Sequence, residues 1–248
     1  MTSLFNRIYL KYRETYWRYK KYKSNVRIQR GGIAEIDKTA QIKNSNIYVD
    51  SSSKLILRKE VRLEGVNFFL TNGAVVEIGE YSFVILDRNS IKPEIIVNNG
   101  SLFIGNHTKS ACQRLWIRFG GKCKIGNYTN INSGSEIRAD ESVCIGNFCQ
   151  ISYNVRIWDT NTHCIYSQAL RQKMTIDSFP SFGKEYEKPI TRPVKIGNGC
   201  WLGEKVSILK GSELGDDVIV GFNTLISNKH IASKTSVVQH INLLTREL

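Results

Sequence analysis

Six aliphatic residues recur at a spacing of six: Ile196, Leu202, Ile208, Leu214, Val220 and Ile226. Neither a helix, with its period near 3.6, nor a strand, with its period of two, produces that repeat. The hexads call for a solenoid in which each short side of a coil presents one large inward residue. The positions two before each one read Val194, Cys200, Val206, Ser212, Val218 and Thr224, all small or β-branched, so each side offers a large and a small inward side chain. Glycine follows the large residue at Gly197, Gly203, Gly215 and Gly221, where the backbone leaves a strand and turns. Three such sides close a triangular coil, and stacked coils hydrogen-bond at about 4.8 Å per layer around an aliphatic core. The expected fold class is all-β, a parallel β-helix.

The same grammar continues upstream. Ile125, Ile131 and Ile137 form one triplet and Ile145, Ile151 and Ile157 another, with Cys123, Thr129, Ser135, Val143, Cys149 and Val155 in the small positions. The longer step from Ile137 to Ile145 lets one corner bulge without loss of register. Ile78-Gly79 and Ile104-Gly105 keep the signature at irregular spacing, so residues 32–122 read as earlier coils of one solenoid. The competing reading is a separate antiparallel domain, suggested by the alternation in Lys54-Leu55-Ile56-Leu57-Arg58 and Val61-Arg62-Leu63. The expected organisation is a basic N-terminal helix or cap over 1–31, a β-helix domain over 32–240 with an insertion at 158–193, and a tail at 241–248.

Charge is concentrated at the start of the chain. Residues 1–30 carry nine Lys or Arg against Glu14 alone, a net +8 of the whole chain's +13. Within that arm Phe5, Ile8, Tyr9, Tyr12, Tyr16 and Tyr19 recur at three- and four-residue steps, which predicts an amphipathic helix. Two roles suit it, peripheral contact with an anionic membrane or a cap over the open first coil. No apolar run approaches the roughly 20 residues that span a bilayer, and no secretory signal pattern opens the chain, so a cytoplasmic protein is expected. Nucleic acid is not an expected partner, because no recognition motif or stacking platform accompanies the basic arm. The cysteines, Cys112, Cys123, Cys144, Cys149, Cys164 and Cys200, form no C-x-x-C pair, and three of them sit in small inward positions. Buried, reduced thiols are expected, and no metal.

The hexads stop at Ile157 and resume at Val194 and Ile196. What interrupts them begins Trp158-Asp159-Thr160-Asn161-Thr162-His163-Cys164 and ends Thr191-Arg192-Pro193. A solenoid expels a long loop only at a corner, so this segment must project from the shaft. After it comes Ile196-Gly197-Asn198-Gly199-Cys200-Trp201-Leu202-Gly203. The two segments together resemble the hexapeptide-repeat acyltransferases, specifically the bacterial sugar and polysaccharide O-acetyltransferases, in which a D-x-D-x-H type segment precedes a loop and an I-G-x-x-x-W-[IL]-G coil follows. The likeness covers about residues 123–228. It implies a left-handed coil, a homotrimer, and acetyl-CoA lying between neighbouring shafts.

The resemblance also implies a chemistry. Acetyl transfer from a thioester to a sugar hydroxyl of a surface polysaccharide or its precursor needs a base, and a neutral imidazole meets that need near neutral pH. His163 is the expected base, with Asp159 or Asn161 orienting its ring. Asp159 is preferred, since the family carries a second acidic residue where this chain has Asn161. Trp201 and Gly203 are expected at the donor site, together with the later stretch that contains Phe222, Ser227, Asn228 and Lys229. Phe222 stands where the family has Ala and Asn228 where it has Lys, with Lys229 one place later. An amino-sugar N-acetyltransferase and a noncatalytic scaffold in polysaccharide assembly are the alternatives. A zinc-dependent relative would need three converging histidines, and the spacings of His107, His163, His230 and His240 do not reproduce such a set.

Overall fold

The computed structural model describes residues 23–87, 90–180, 187–240, 244 and 246. Most of the predicted basic helix and most of the tail therefore lie outside the described residues. Within them the chain winds through 27 short strands that visit three faces in strict rotation. Strand β1 (Asn25–Ile28) starts face A, β2 (Ile33–Ile36) face B and β3 (Gln41–Lys43) face C, and every third strand after these joins the same face in parallel. This rotation is consistent with a left-handed β-helix of hexapeptide repeats. The competing antiparallel reading fails, because Leu55, Val76, Leu102 and Cys123 stack in one parallel register on face B. The first strand begins at Asn25, inside the stretch assigned to the basic arm. Val26 and Ile28 cover only the open end of the shaft, so they lack the buried pattern that marks later coils.

Each triplet of the hexad repeat distributes one residue to each face. Ile125, Ile145, Ile196 and Leu214 are in register on face B, and Ile131, Ile151, Leu202 and Val220 on face C. Ile137, Ile157, Ile208 and Ile226 complete the set on face A. All twelve are buried, as are the small positions beside them. The early coils are longer, with Asn46 and Asn67 paired at a separation of 21 residues against 18 for Asn198 and Asp216. Extra corner residues account for the irregular spacing before residue 122.

The corner between faces B and C explains the Ile-Gly-Asn signature. At Ile104-Gly105-Asn106, Ile125-Gly126-Asn127, Ile145-Gly146-Asn147 and Ile196-Gly197-Asn198, each asparagine Oδ1 accepts a backbone N–H from the coil before it, at 2.7–2.9 Å. Coils approach so closely here that a Cβ on Gly146 would lie 2.5 Å from Gly197 O and 2.6 Å from its carbonyl carbon. One residue farther on, Tyr81, His107, Tyr128 and Phe148 all take positive φ and stack as a ladder, with centroids 5.2, 4.9 and 5.2 Å apart. Inside the same corner, Thr108, Thr129, Cys149 and Cys200 point their donors at the glycine carbonyl of the following coil. Cys112, Cys123, Cys149 and Cys200 are buried and form no disulfide, and burial pushes the Cys112 thiol up to about 12. Buried thiols here act as small core residues with a weak donor.

The glycine contact yields a stability test. Gly146→Ala forces backbone of two coils apart and is expected to cost about 2–3 kcal/mol. Chemical denaturation of the two proteins measures it, and unchanged stability would mean that the coils have slack at this corner.

Candidate active site

The insertion leaves the shaft after β19 (Arg156–Trp158) on face A and returns at β20 (Val194–Ile196) on face B. Its base is a short antiparallel neck. Thr160 bridges Thr191, Asn161 N–H donates to Ile190 O at 3.0 Å, and Arg192 N–H donates to Asp159 O at 2.9 Å. Beyond the neck lies helix α1 (Gln168–Asp177), capped by the Ser167 side chain and with no buried residue. This helix has no apolar stripe to bury, which is why the sequence offered no signal for it.

Asp159 anchors the neck. Its carboxylate is fully buried and accepts three backbone N–H groups, from Asp140 (2.9 Å), Glu141 (2.8 Å) and Ser142 (2.6 Å). These three belong to the bulged corner between Ile137 and Ile145. Because the chain departs into the insertion at the next coil, the carboxylate takes the place of the missing carbonyl acceptors. Burial pushes its pKa above the ordinary carboxylate value, against the pull of the three donors. The carboxylate that the motif offers as a partner for the imidazole thus also fastens this corner of the shaft. Glu141 adds a second fastening by accepting the Thr191 hydroxyl at 2.6 Å.

A third fastening runs through the shaft. Arg118 holds the buried Asp140 with two hydrogen bonds, Nε to Oδ1 at 2.9 Å and Nη2 to Oδ2 at 2.7 Å, and Nη2 also reaches Thr162 O at 3.5 Å. Thr162 has φ +67°, a left-handed conformation that a β-branched residue adopts only under constraint. The next residue is His163, exposed to solvent on this pinned segment. Asn161 contributes its backbone to the neck.

The expected donor residues fall into two groups. Ser227, Asn228 and Lys229 lie where the last coils pass from face A to face B, the corner from which the His163 loop projects. There Asn228 Oδ1 accepts Arg192 Nη1 at 2.8 Å, tying the returning limb of the loop to the shaft. Trp201 stands on face C, 56% exposed, with Ile219 beside it in register. Phe222, 63% exposed, follows at the corner between faces C and A under Lys205, whose Nζ lies 5.4 Å from the ring centroid. Gly203 is explained by coil contact alone, since a Cβ would meet Phe222 N at 2.9 Å. One chain therefore carries His163 and Trp201 on different parts of the shaft.

Sequence reasoning missed a ladder on face A next to the insertion. The Arg138 guanidinium lies between the indoles of Trp116 and Trp158, 5.0 and 4.6 Å from their centroids, and pairs with Glu136. Arg114 covers the same Trp116 ring at 4.9 Å. Both indole N–H groups are buried without a hydrogen-bond partner among the described residues. These residues come from successive coils, so no local motif announces them. Among the described residues no group of three or more His, Cys, Asp or Glu is arranged to hold a metal, and no helix is long and apolar enough to cross a membrane.

Comparison with known proteins bears out the resemblance drawn from the motifs. Residues 193–228 match the family described as bacterial transferase hexapeptide (six repeats). WbbJ of Escherichia coli, whose name gives it as an O-acetyl transferase of lipopolysaccharide biosynthesis, is 30% identical over 135 residues, 54% of this chain and 66% of WbbJ. Rv3034c of Mycobacterium tuberculosis, named as an acetyltransferase, is 27% identical over 110 residues, 44% of this chain and 30% of that protein. The chain thus spans less than two thirds of either relative. Two solved structures show a looser likeness. The polysialic-acid-specific acetyltransferase NeuO gives a TM-score of 0.47 at 18% identity, covering 88% of this chain and 82% of its own. The polysialic acid O-acetyltransferase OatWY gives 0.48 at 19%, covering 87% and 84%.

The anchoring role of Asp159 predicts a severe effect of its removal. Asp159→Ala leaves three N–H groups without their acceptor and is expected to cost about 3 kcal/mol or more. Calorimetry measures the loss, and limited proteolysis should show earlier cleavage within 158–193 than in the parent.

Proposed function

We propose that the protein is an acetyl-CoA-dependent O-acetyltransferase acting on a hydroxyl of a sugar in a surface polysaccharide or its precursor, with His163 as general base. The observation that carries this reading is the triple fastening of the neck, which holds an exposed imidazole on a strained, fixed segment at one corner of the shaft. Mobile surface histidines need no such support, whereas a base must be held in place before its substrate arrives. The hexapeptide match and the names of the relatives supply the class of reaction.

In the proposed reaction the neutral imidazole takes the hydroxyl proton as the sugar oxygen attacks the thioester carbonyl. The tetrahedral intermediate collapses with cleavage of the carbon–sulfur bond, and the proton passes to the departing thiolate. The products are the O-acetyl sugar and CoA. Asp159 serves as a positioning residue that keeps the neck in register, and Asn161 supports it through its backbone.

The separation of His163 from Trp201 supports a homotrimer in which the Trp201 face of one subunit meets the His163 loop of the next. Trp201 and Ile219 are exposed side by side on face C, Phe222 is exposed at the next corner, and the loop exposes Ile165, Ile176 and Phe179. Neighbouring exposed apolar side chains of this kind suit a contact surface. Under this reading the pantetheine arm of acetyl-CoA runs between the subunits, with Trp201 and Phe222 as its wall and Asn228 and Lys229 near its polar end.

Release of free thiol from acetyl-CoA in the presence of a saccharide acceptor tests the reaction. His163→Ala should lower kcat by roughly 10²- to 10⁴-fold while acetyl-CoA still binds. Parental turnover in that variant would remove His163 from the mechanism. Light scattering should report three subunits, and a monomer with full activity would contradict the shared site.

A further inference from the structure

Below the His163 loop, on the same corner between faces A and B, the shaft carries a cleft of about 300 Å³ lined by Asn72, Asn98, Asn99, Arg118 and Phe119. The strands that lead into it, β7 (Asn67–Thr71), β10 (Glu94–Asn98) and β13 (Arg114–Ile117), are three successive coils of face A. Trp116, Arg138 and Trp158 are register partners, so Arg118 sits two coils from the start of the insertion. At about 4.8 Å per coil, the cleft covers a track from roughly 10 to 19 Å along the axis from that point. It is joined to the loop directly, because Arg118 Nη2 reaches Thr162 O, the carbonyl preceding His163.

The lining has a definite chemistry. Asn72 is held by its backbone N–H on Asp50 Oδ2 at 2.6 Å and by its Nδ2 on Asn98 Oδ1 at 2.7 Å. Among the described residues, Asn72 Oδ1, Asn98 Nδ2 and both polar atoms of the Asn99 amide make no hydrogen bond, which leaves acceptors and donors side by side. Asn72, Asn99 and Phe119 all have positive φ, and their turns are fixed by coil-to-coil bonds such as Asn99 N–H to Thr71 O at 3.0 Å. The one cation in the lining, Arg118, is matched by the buried carboxylate of Asp140. Three amides, two of them held to one another, beside an aromatic ring with the Arg118 guanidinium 5.0 Å from its centroid and that single charge neutralised by Asp140, suit a ligand rich in hydroxyl groups and without charge of its own.

We infer that this cleft is an extended acceptor subsite that binds uncharged sugar units of a glycan chain flanking the unit presented to His163. The inference rests on the acetyltransferase reading above and adds to it that the acceptor is an oligosaccharide or polymer, recognised beyond the acetylated residue. Arg118 then has two roles in one position, since it lines the subsite and steadies the segment that carries the base.

The test uses the full chain with Asn72→Gly and Asn98→Ala combined. Glycine keeps the positive φ at 72, position 98 ends a strand where alanine fits, and a melting curve verifies folding. Binding is read on an array of defined neutral oligosaccharides, from mono- to hexasaccharides of hexoses and N-acetylhexosamines, with acidic glycans alongside. The parent and His163→Ala should bind neutral chains with affinity that rises with length, and the double variant should lose about tenfold or more, the equivalent of one to two amide hydrogen bonds. In kinetics the loss should appear in KM for the oligosaccharide, with kcat close to the parent. Parental affinity in the double variant, or a parent that binds only acidic glycans or none, overturns the subsite. If glycan binding depends on the cleft but no acetyl group is transferred, the subsite stands and the acetyltransferase reading falls; transfer at parental KM by the double variant has the opposite meaning.

Discussion

Every coil of this shaft must place its backbone donors opposite the carbonyls of the next, and the rest of the structure follows from that demand. A stack of parallel strands has no other source of backbone partners, and an unpaired buried amide costs on the order of 1–3 kcal/mol. The inward hexads keep the layers in register by filling the core with alternate large and small side chains. The Ile-Gly-Asn corners extend the same register through side chains, with asparagine amides accepting the N–H groups that the turning backbone leaves behind.

Function enters where the demand is broken. Between Trp158 and Val194 the chain leaves the stack, and three N–H groups at the corner below lose their natural acceptors. Asp159 supplies them, and in doing so becomes the hinge-pin of the loop that carries His163. The anchor Asp159 and the proposed base His163 are four residues apart in sequence because the same departure creates the need for one and the opportunity for the other. Trp201 stands exposed on face C, away from the corner that carries His163, which is the separation that the proposed homotrimer would bridge.

The solenoid was legible because its period is incompatible with any other element, and the triplets at Ile125, Ile145 and Ile196 were assignable to faces before any geometry was known. The earlier coils were harder to read, since long corners hide the period while leaving Ile-Gly at 78–79 and 104–105. At the interruption, the sequence singled out His163 and Asp159 together, but not the place of the Asp159 carboxylate in the corner. A carboxylate in a histidine motif reads as a partner for the ring; only its burial against Asp140, Glu141 and Ser142 reveals the corner it satisfies. The indole and guanidinium ladder of Trp116, Arg138 and Trp158 was invisible for a related reason. Contacts between coils join residues about twenty positions apart, beyond the reach of any local motif.

The central claim is that His163 of one subunit and Trp201 of another complete one site. It is tested most directly by co-expressing His163→Ala chains with Trp201→Glu chains, the second placing a carboxylate on the face expected to meet the donor. Each variant alone should be nearly inactive. Each mixed trimer has one site in three that pairs an intact His163 with an intact Trp201 from the neighbour, about a quarter of all sites after random assembly, so activity should return toward that fraction of the parent's. Mixed trimers that form yet remain as inactive as the separate variants would show that the site does not span two subunits.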